Sequence, residues 1–79
     1  MNKPLLGEIL TVPTVLAMNK VGRASVMIFT DQGHYNMHMT GKRVGFRIGA
    51  TIMDIRDRGM SIDRVELRIG NGPIYVWVR

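Results

Sequence analysis

Cysteine is absent from all 79 residues, so neither a disulfide framework nor a thiolate metal site can reinforce the fold. Long apolar runs are missing too. The uninterrupted ones, Val15–Met18 and Val26–Phe29, fall far short of the ~20 residues that cross a bilayer. Glu8 and Pro13 break the stretch after Lys3 and Leu5-Leu6 that a signal peptide would need. No membrane or secretory segment is expected, and a cytoplasmic setting is the default. Serine occurs only at Ser25 and Ser61, neither in a nucleophile-elbow context. Asp54, Asp57 and Asp63 alternate with Arg56, Arg58 and Arg64, which reads as ion pairing rather than as an acid–base pair. Gly41-Lys42 lacks the remaining parts of a phosphate loop, because Asn36 stands where its upstream glycine belongs and Arg43 replaces the hydroxyl residue. His34 and His38, on a strand, lie about 13 Å apart, too far to share an ion. The expectation is a non-enzymatic protein with no cofactor and no metal.

What is present points elsewhere. The length fits a single domain over residues 1–79, and a chain of this size removes only about 60–65% of its unfolded surface from water. Yet 46% of its residues are hydrophobic, well above a disordered composition. A small core with no staple favours self-association, so a homo-oligomer is expected. Eleven Lys and Arg against six Asp and Glu give a net charge of +5, which favours an anionic partner, nucleic acid being the commonest. A basic surface that merely keeps the chain soluble is the competing reading.

Turn chemistry recurs at short, even spacing: Asn19–Gly22, Asp31–Gly33, Thr40–Lys42, Asp57–Gly59 and Gly70–Pro73. The segments between them alternate as strands do. Tyr35, Met37 and Met39 oppose His34, Asn36, His38 and Thr40; Val65, Leu67 and Ile69 oppose Arg64, Glu66 and Arg68; Ile74, Val76 and Val78 oppose Tyr75, Trp77 and Arg79. Val44–Ile52 reads the same way, with Val44, Phe46, Ile48, Ala50 and Ile52 on one face and Arg47 between Gly45 and Gly49 on the other. Pro13 marks Glu8–Met18 as an edge or bulged strand. Ile62 and Val65 have opposite parity, which calls for a bulge near Asp63-Arg64. A helix from Ile52 to Val65 is disfavoured by Gly59, although a short helical turn near residues 54–60 is compatible. No internal repeat is visible. The pattern therefore predicts an all-β fold, a small five- to six-stranded antiparallel barrel of OB-like type.

The candidate binding residues are mostly arginines. Lys42, Arg43, Arg47, Arg56, Arg58, Arg64 and Arg68 cluster between positions 42 and 68, and arginine suits bidentate phosphate contact. Arg64 and Arg68 equally fit a cross-strand lattice with Glu66 and Asp63. Lys42, Arg43 and Arg47 are the leading phosphate contacts. Of the aromatic residues, Phe46 and Tyr35 are expected in the core. Tyr75 and Trp77 form either an exposed stacking platform for bases or a subunit interface.

Gly59-Met60-Ser61-Ile62-Asp63-Arg64-Val65-Glu66-Leu67 resembles the final-strand segment of the single-stranded-DNA-binding proteins of filamentous phages, which are small, basic, OB-like dimers. The resemblance spans nine residues and transfers no individual binding residue. The chain departs from that family by continuing through another strand to Arg79 and by lacking a matching aromatic loop. Together these readings predict a nucleic-acid-binding module that prefers single strands. The alternative is a protein-interaction module, a phage- or plasmid-type inhibitor or oligomeric structural subunit, that uses Tyr75 and Trp77 as its interface.

Overall fold

Thr11 sets where the first helix begins. Its backbone is extended and its hydroxyl accepts from the Thr14 amide at 3.4 Å, while Pro13 sits in the first turn, where a missing N–H costs nothing. Helix α1 (Val12–Val21) ends at Gly22, whose φ of +78° is the left-handed stop that glycine permits. The computed structural model describes residues 10–79. The expected edge strand Glu8–Met18 is therefore corrected from Val12 onward, and its first two residues lie outside the described ones. Proline signalled a helix start rather than a strand edge.

Four strands follow in two hairpins: β1 (Arg23–Thr30) with β2 (Gly33–Thr40), and β3 (Ile62–Ile69) with β4 (Ile74–Val78). Helix α2 (Val44–Asp57) joins them. The sheet is antiparallel throughout, in the order β2-β1-β3-β4. Sheet accounts for 41% of the described residues and helix for 34%. The fold is thus rich in β structure, but all-β is corrected to an open sheet with two helices. The described residues form no closed barrel of five or six strands. Two of the six sequence segments became helices, which leaves too few strands to close.

The decisive misreading is Val44–Ile52. Val44, Ile48 and Ile52 fall on every fourth position, so they satisfy a helix as well as a strand. In α2 these three are buried together with Ile55, and Gly45 and Gly49 lie on the buried side as well. Phe46, expected in the core, is 58% exposed. The helix runs on to Asp57 and ends before Gly59, at φ +84°, so residues 54–60 combine a last helical turn with its terminator.

Both helices cover one face of the sheet. Ala24, Val26 and Ile28 of β1, Ile62, Val65 and Leu67 of β3, and the apolar stripe of α2 make the core, completed by Met18 and Leu10. No charged or polar residue is buried among the described residues. The pairing of β1 with β3 shifts after Phe29–Arg64, so that Thr30 meets Ile62 and Asp63 is the extra residue. This is the bulge that the parity of Ile62 and Val65 demands, and it brings both inward. The helices meet at Gly45, whose amide donates to Asn19 Oδ1 at 2.8 Å. A Cβ there would overlap the Val15 carbonyl oxygen. A helix followed by a hairpin occurs twice, α1-β1-β2 and α2-β3-β4, with the two inner strands neighbours. This repeat is one of topology only.

Candidate nucleic-acid interface

Three connections meet at one end of the sheet. The Gly41 amide donates to the Gly22 carbonyl at 2.9 Å, and the Gly70 amide donates to the Arg23 carbonyl at 2.8 Å. Arg23 opens β1 opposite Thr40, the last residue of β2. This junction gathers Lys20 at the end of α1, Arg23, Lys42 and Arg43 in the β2–α2 connection, Arg47 on the first turn of α2, and Arg68 near the end of β3. All six side chains are exposed. Arg47 Nη1 reaches the Thr40 carbonyl at 3.5 Å, and Arg68 Nε donates to the Gly72 carbonyl at 2.8 Å.

The described carboxylates lie elsewhere. Asp31 caps the opposite end in the β1–β2 turn, Asp54 and Asp57 close α2, and Asp63 opens β3. Glu66 sits mid-strand. The ion pairs among the described residues are Arg58–Asp54 at 2.9 Å, Arg64–Glu66 at 2.7 Å and Arg79–Asp63 at 3.5 Å. None involves a cation of the junction. Among the described residues charge is polarised: one end carries only positive charge, the other a mixture. Like charges held this close in the free protein repel, and a polyanion relieves that repulsion as it binds. The first turn of α2 contains no acidic residue, and its positive dipole end is offset by the C-terminal end of α1 at the same junction, where Lys20 stands in the last turn.

The uncovered sheet face adjoins this end. Cross-strand rows run His38–Ser25–Arg68–Ile74, Asn36–Met27–Glu66–Val76 and His34–Phe29–Arg64–Val78. Phe29 and His34 have ring centroids 5.8 Å apart and planes tilted by 33°. Ser25 Oγ and His38 Nδ1 are hydrogen-bonded at 2.8 Å. No cluster of three or more metal-ligating side chains occurs among the described residues.

The sequence-derived set is therefore divided. Lys42, Arg43, Arg47 and Arg68 converge at the junction. Arg64 shares the open face with Arg68 but is paired with Glu66 two residues along the same strand, not across strands as the lattice reading expects. Arg56 and Arg58 stand at the far end of α2, and Arg58 is held by Asp54. Arg47 projects from a helix, not from a strand neighbouring those of Arg64 and Arg68. Tyr75 and Trp77 are opposite Leu67 and Val65, so they lie on the helix-covered face, away from Arg64 and Arg68. Trp77 packs against the core, while Tyr75 is 50% exposed. The two do not form a stacking platform beside the arginines. Sequence reading missed Lys20 and Arg23, which stand outside the 42–68 window and reach the site only because three connections converge. It also missed the pairing of Phe29 with His34, which depends on hairpin register. Compared with protein-family models, curated proteins and solved structures, the chain matched none.

Proposed function

We propose that this protein binds single-stranded nucleic acid, with the all-positive end holding phosphates and the open sheet face receiving bases. The observation that carries this reading is the gathering of Lys20, Arg23, Lys42, Arg43, Arg47 and Arg68 at one end, with every described carboxylate elsewhere. Single strands are favoured because an open antiparallel sheet suits unstacked bases, which Phe29 and His34, at the end of the open face away from the junction, would receive. The resemblance of Gly59–Leu67 to a segment of filamentous-phage single-strand-binding proteins leans the same way. Within the proposal, Lys42, Arg43 and Arg47 remain the leading contacts. Arg56 and Arg58 drop to the periphery, and Tyr75 and Trp77 leave the site.

The test is a fluorescence titration of labelled oligonucleotides, single-stranded and duplex, at several salt concentrations. Arg43→Glu with Arg47→Glu is expected to weaken single-strand binding by at least about tenfold and to flatten the salt dependence, since each lost phosphate contact lowers its slope. Arg56→Glu with Arg58→Glu makes the same change of charge at the far end and should do much less. Equal losses from the two pairs, or affinity independent of salt, overturn the reading. A second reading, an interaction module, draws on Ile74, Val76 and Val78, which stand exposed on β4. It wins if Val76→Lys abolishes a partner's binding while the arginine variants are silent.

A further inference from the structure

Strand β4 has β3 on one side and, among the described residues, no strand on the other. The Arg79 amide donates to the Asp63 carbonyl at 3.0 Å, which fixes the phase of the hairpin. In antiparallel pairing hydrogen-bonded and non-hydrogen-bonded pairs alternate, so Trp77 and Tyr75 exchange bonds with Val65 and Leu67. The N–H and C=O groups of Ile74, Val76 and Val78 therefore point away from β3, along the free edge. Edge strands are normally protected by charge, proline or a bulge. Residues 74–78, Ile-Tyr-Val-Trp-Val, contain none of these. The other edge differs, because β2 carries His34, Asn36, His38 and Thr40 on its open face.

We infer that the β4 edge pairs with the β4 edge of a second copy, about a two-fold axis at Val76, to form one continuous eight-stranded antiparallel sheet. Three features single out a second copy as the occupant. The first is backbone phase. A two-fold at Val76 sets its N–H against the C=O of Val76 in the second copy and the reverse, and Ile74 pairs with Val78 in the same bonding class. The second is side-chain matching. On the open face Ile74, Val76 and Val78 meet their own kind, and on the helix face Tyr75 meets Trp77 of the second copy, the cross-strand pairing that aromatic residues favour. Ile74 is 55% exposed, Val76 48% and Val78 62%, so pairing removes apolar surface that the isolated chain leaves in water.

Charge is the third feature. β4 begins at the all-positive end and finishes beside Asp63. Antiparallel pairing brings the positive end of each copy alongside the carboxylate-bearing end of the other and holds the two positive ends apart. Five residues of edge form a small contact by the standards of stable dimers, so association is reversible and concentration-dependent. This inference does not rest on the nucleic-acid reading, since edge pairing needs only the backbone phase, side chains and charges of the free protein.

The experiment is sedimentation equilibrium across micromolar to millimolar concentration, combined with oxidative cross-linking. Wild-type protein should move from one chain mass to two. Val76→Pro removes an N–H that β3 does not use, a substitution that an edge strand tolerates, and should weaken dimerisation by at least about tenfold with the far-ultraviolet spectrum unchanged. If that variant fails to fold, Val76→Lys replaces it with the same expectation. Because the chain has no cysteine, Val76→Cys cross-links only through that position. Paired residues about 5.5 Å apart lie within disulfide range, so it should oxidise to a covalent dimer much faster than Asn36→Cys on the other edge. A monomer at every concentration, an unchanged constant for both Val76 variants, or equal oxidation of the two cysteine variants overturns the inference.

Discussion

Gly45→Ala is the substitution on which helix propensity and packing disagree in sign. In a free helix the change stabilises by about 1 kcal/mol, because alanine loses less backbone freedom than glycine. Here the new methyl group overlaps the Val15 carbonyl oxygen and lies 3.0 Å from Asn19 Oδ1. The obstacle is main chain, which cannot rotate out of the way as a side-chain tip can. Helix α1 must therefore move off α2, which stretches the Asn19 bond to the Gly45 amide. Overpacking of this kind costs about 1–3 kcal/mol, and weakening the half-buried hydrogen bond adds about 1 kcal/mol. Set against the propensity gain, the net loss is about 1–3 kcal/mol, or roughly 5–20 °C in Tm for a chain of this size. Urea and thermal unfolding followed by circular dichroism measure it. Ala50→Gly, on the exposed side of the same helix, is the control, and it should cost about 1 kcal/mol through propensity alone. Both directions of the Gly/Ala exchange are thus expected to destabilise. A Gly45→Ala protein that melts at or above the wild-type temperature refutes the close crossing.

Two further outcomes follow from the same packing. Asn19→Ala leaves the start of α2 without the side chain that receives the Gly45 amide, and chemical denaturation should show a loss of about 1 kcal/mol. Ile28, fully buried at the centre of β1, should cost about 2–5 kcal/mol on truncation to alanine, visible as a lower urea midpoint with an unchanged slope.

Much of the architecture was legible along the chain. Each of the five turn signals marks an element boundary, and the alternation within His34–Thr40, Arg64–Ile69 and Ile74–Val78 gave the correct division of faces. The bulge at Asp63 followed from parity alone. The failure at Val44–Ile52 has a definite cause: positions 44, 48 and 52 fit periods of two and of four, and apolar Phe46 and Ala50 filled the gaps that would have separated them. Gly45, which alternation places beside Arg47 on a strand face, is the place where α2 lets α1 approach. Thr11 and Pro13 held a helix start that was read as a strand edge. Which face Tyr75 and Trp77 occupy is set by their register with β3, information that no single segment contains. The convergence of Lys20, Arg23 and Lys42 is likewise tertiary, because it depends on which loop ends are neighbours.

The doubled helix-hairpin topology bears on how this protein distinguishes its own two ends. Antiparallel β1 and β3 run in opposite directions, and in chain order α1, β1 and β2 correspond to α2, β3 and β4. The order of elements is thus the same in both halves, so topology alone gives the described residues no electrical polarity. The side chains supply it. Lys20 finishes one helix and Asp54 and Asp57 finish the other, and the turn of one hairpin carries Asp31 where the other has Gly70–Pro73. Substitutions at these few surface positions could reverse the polarity of the molecule while leaving its chain path and its core as they are.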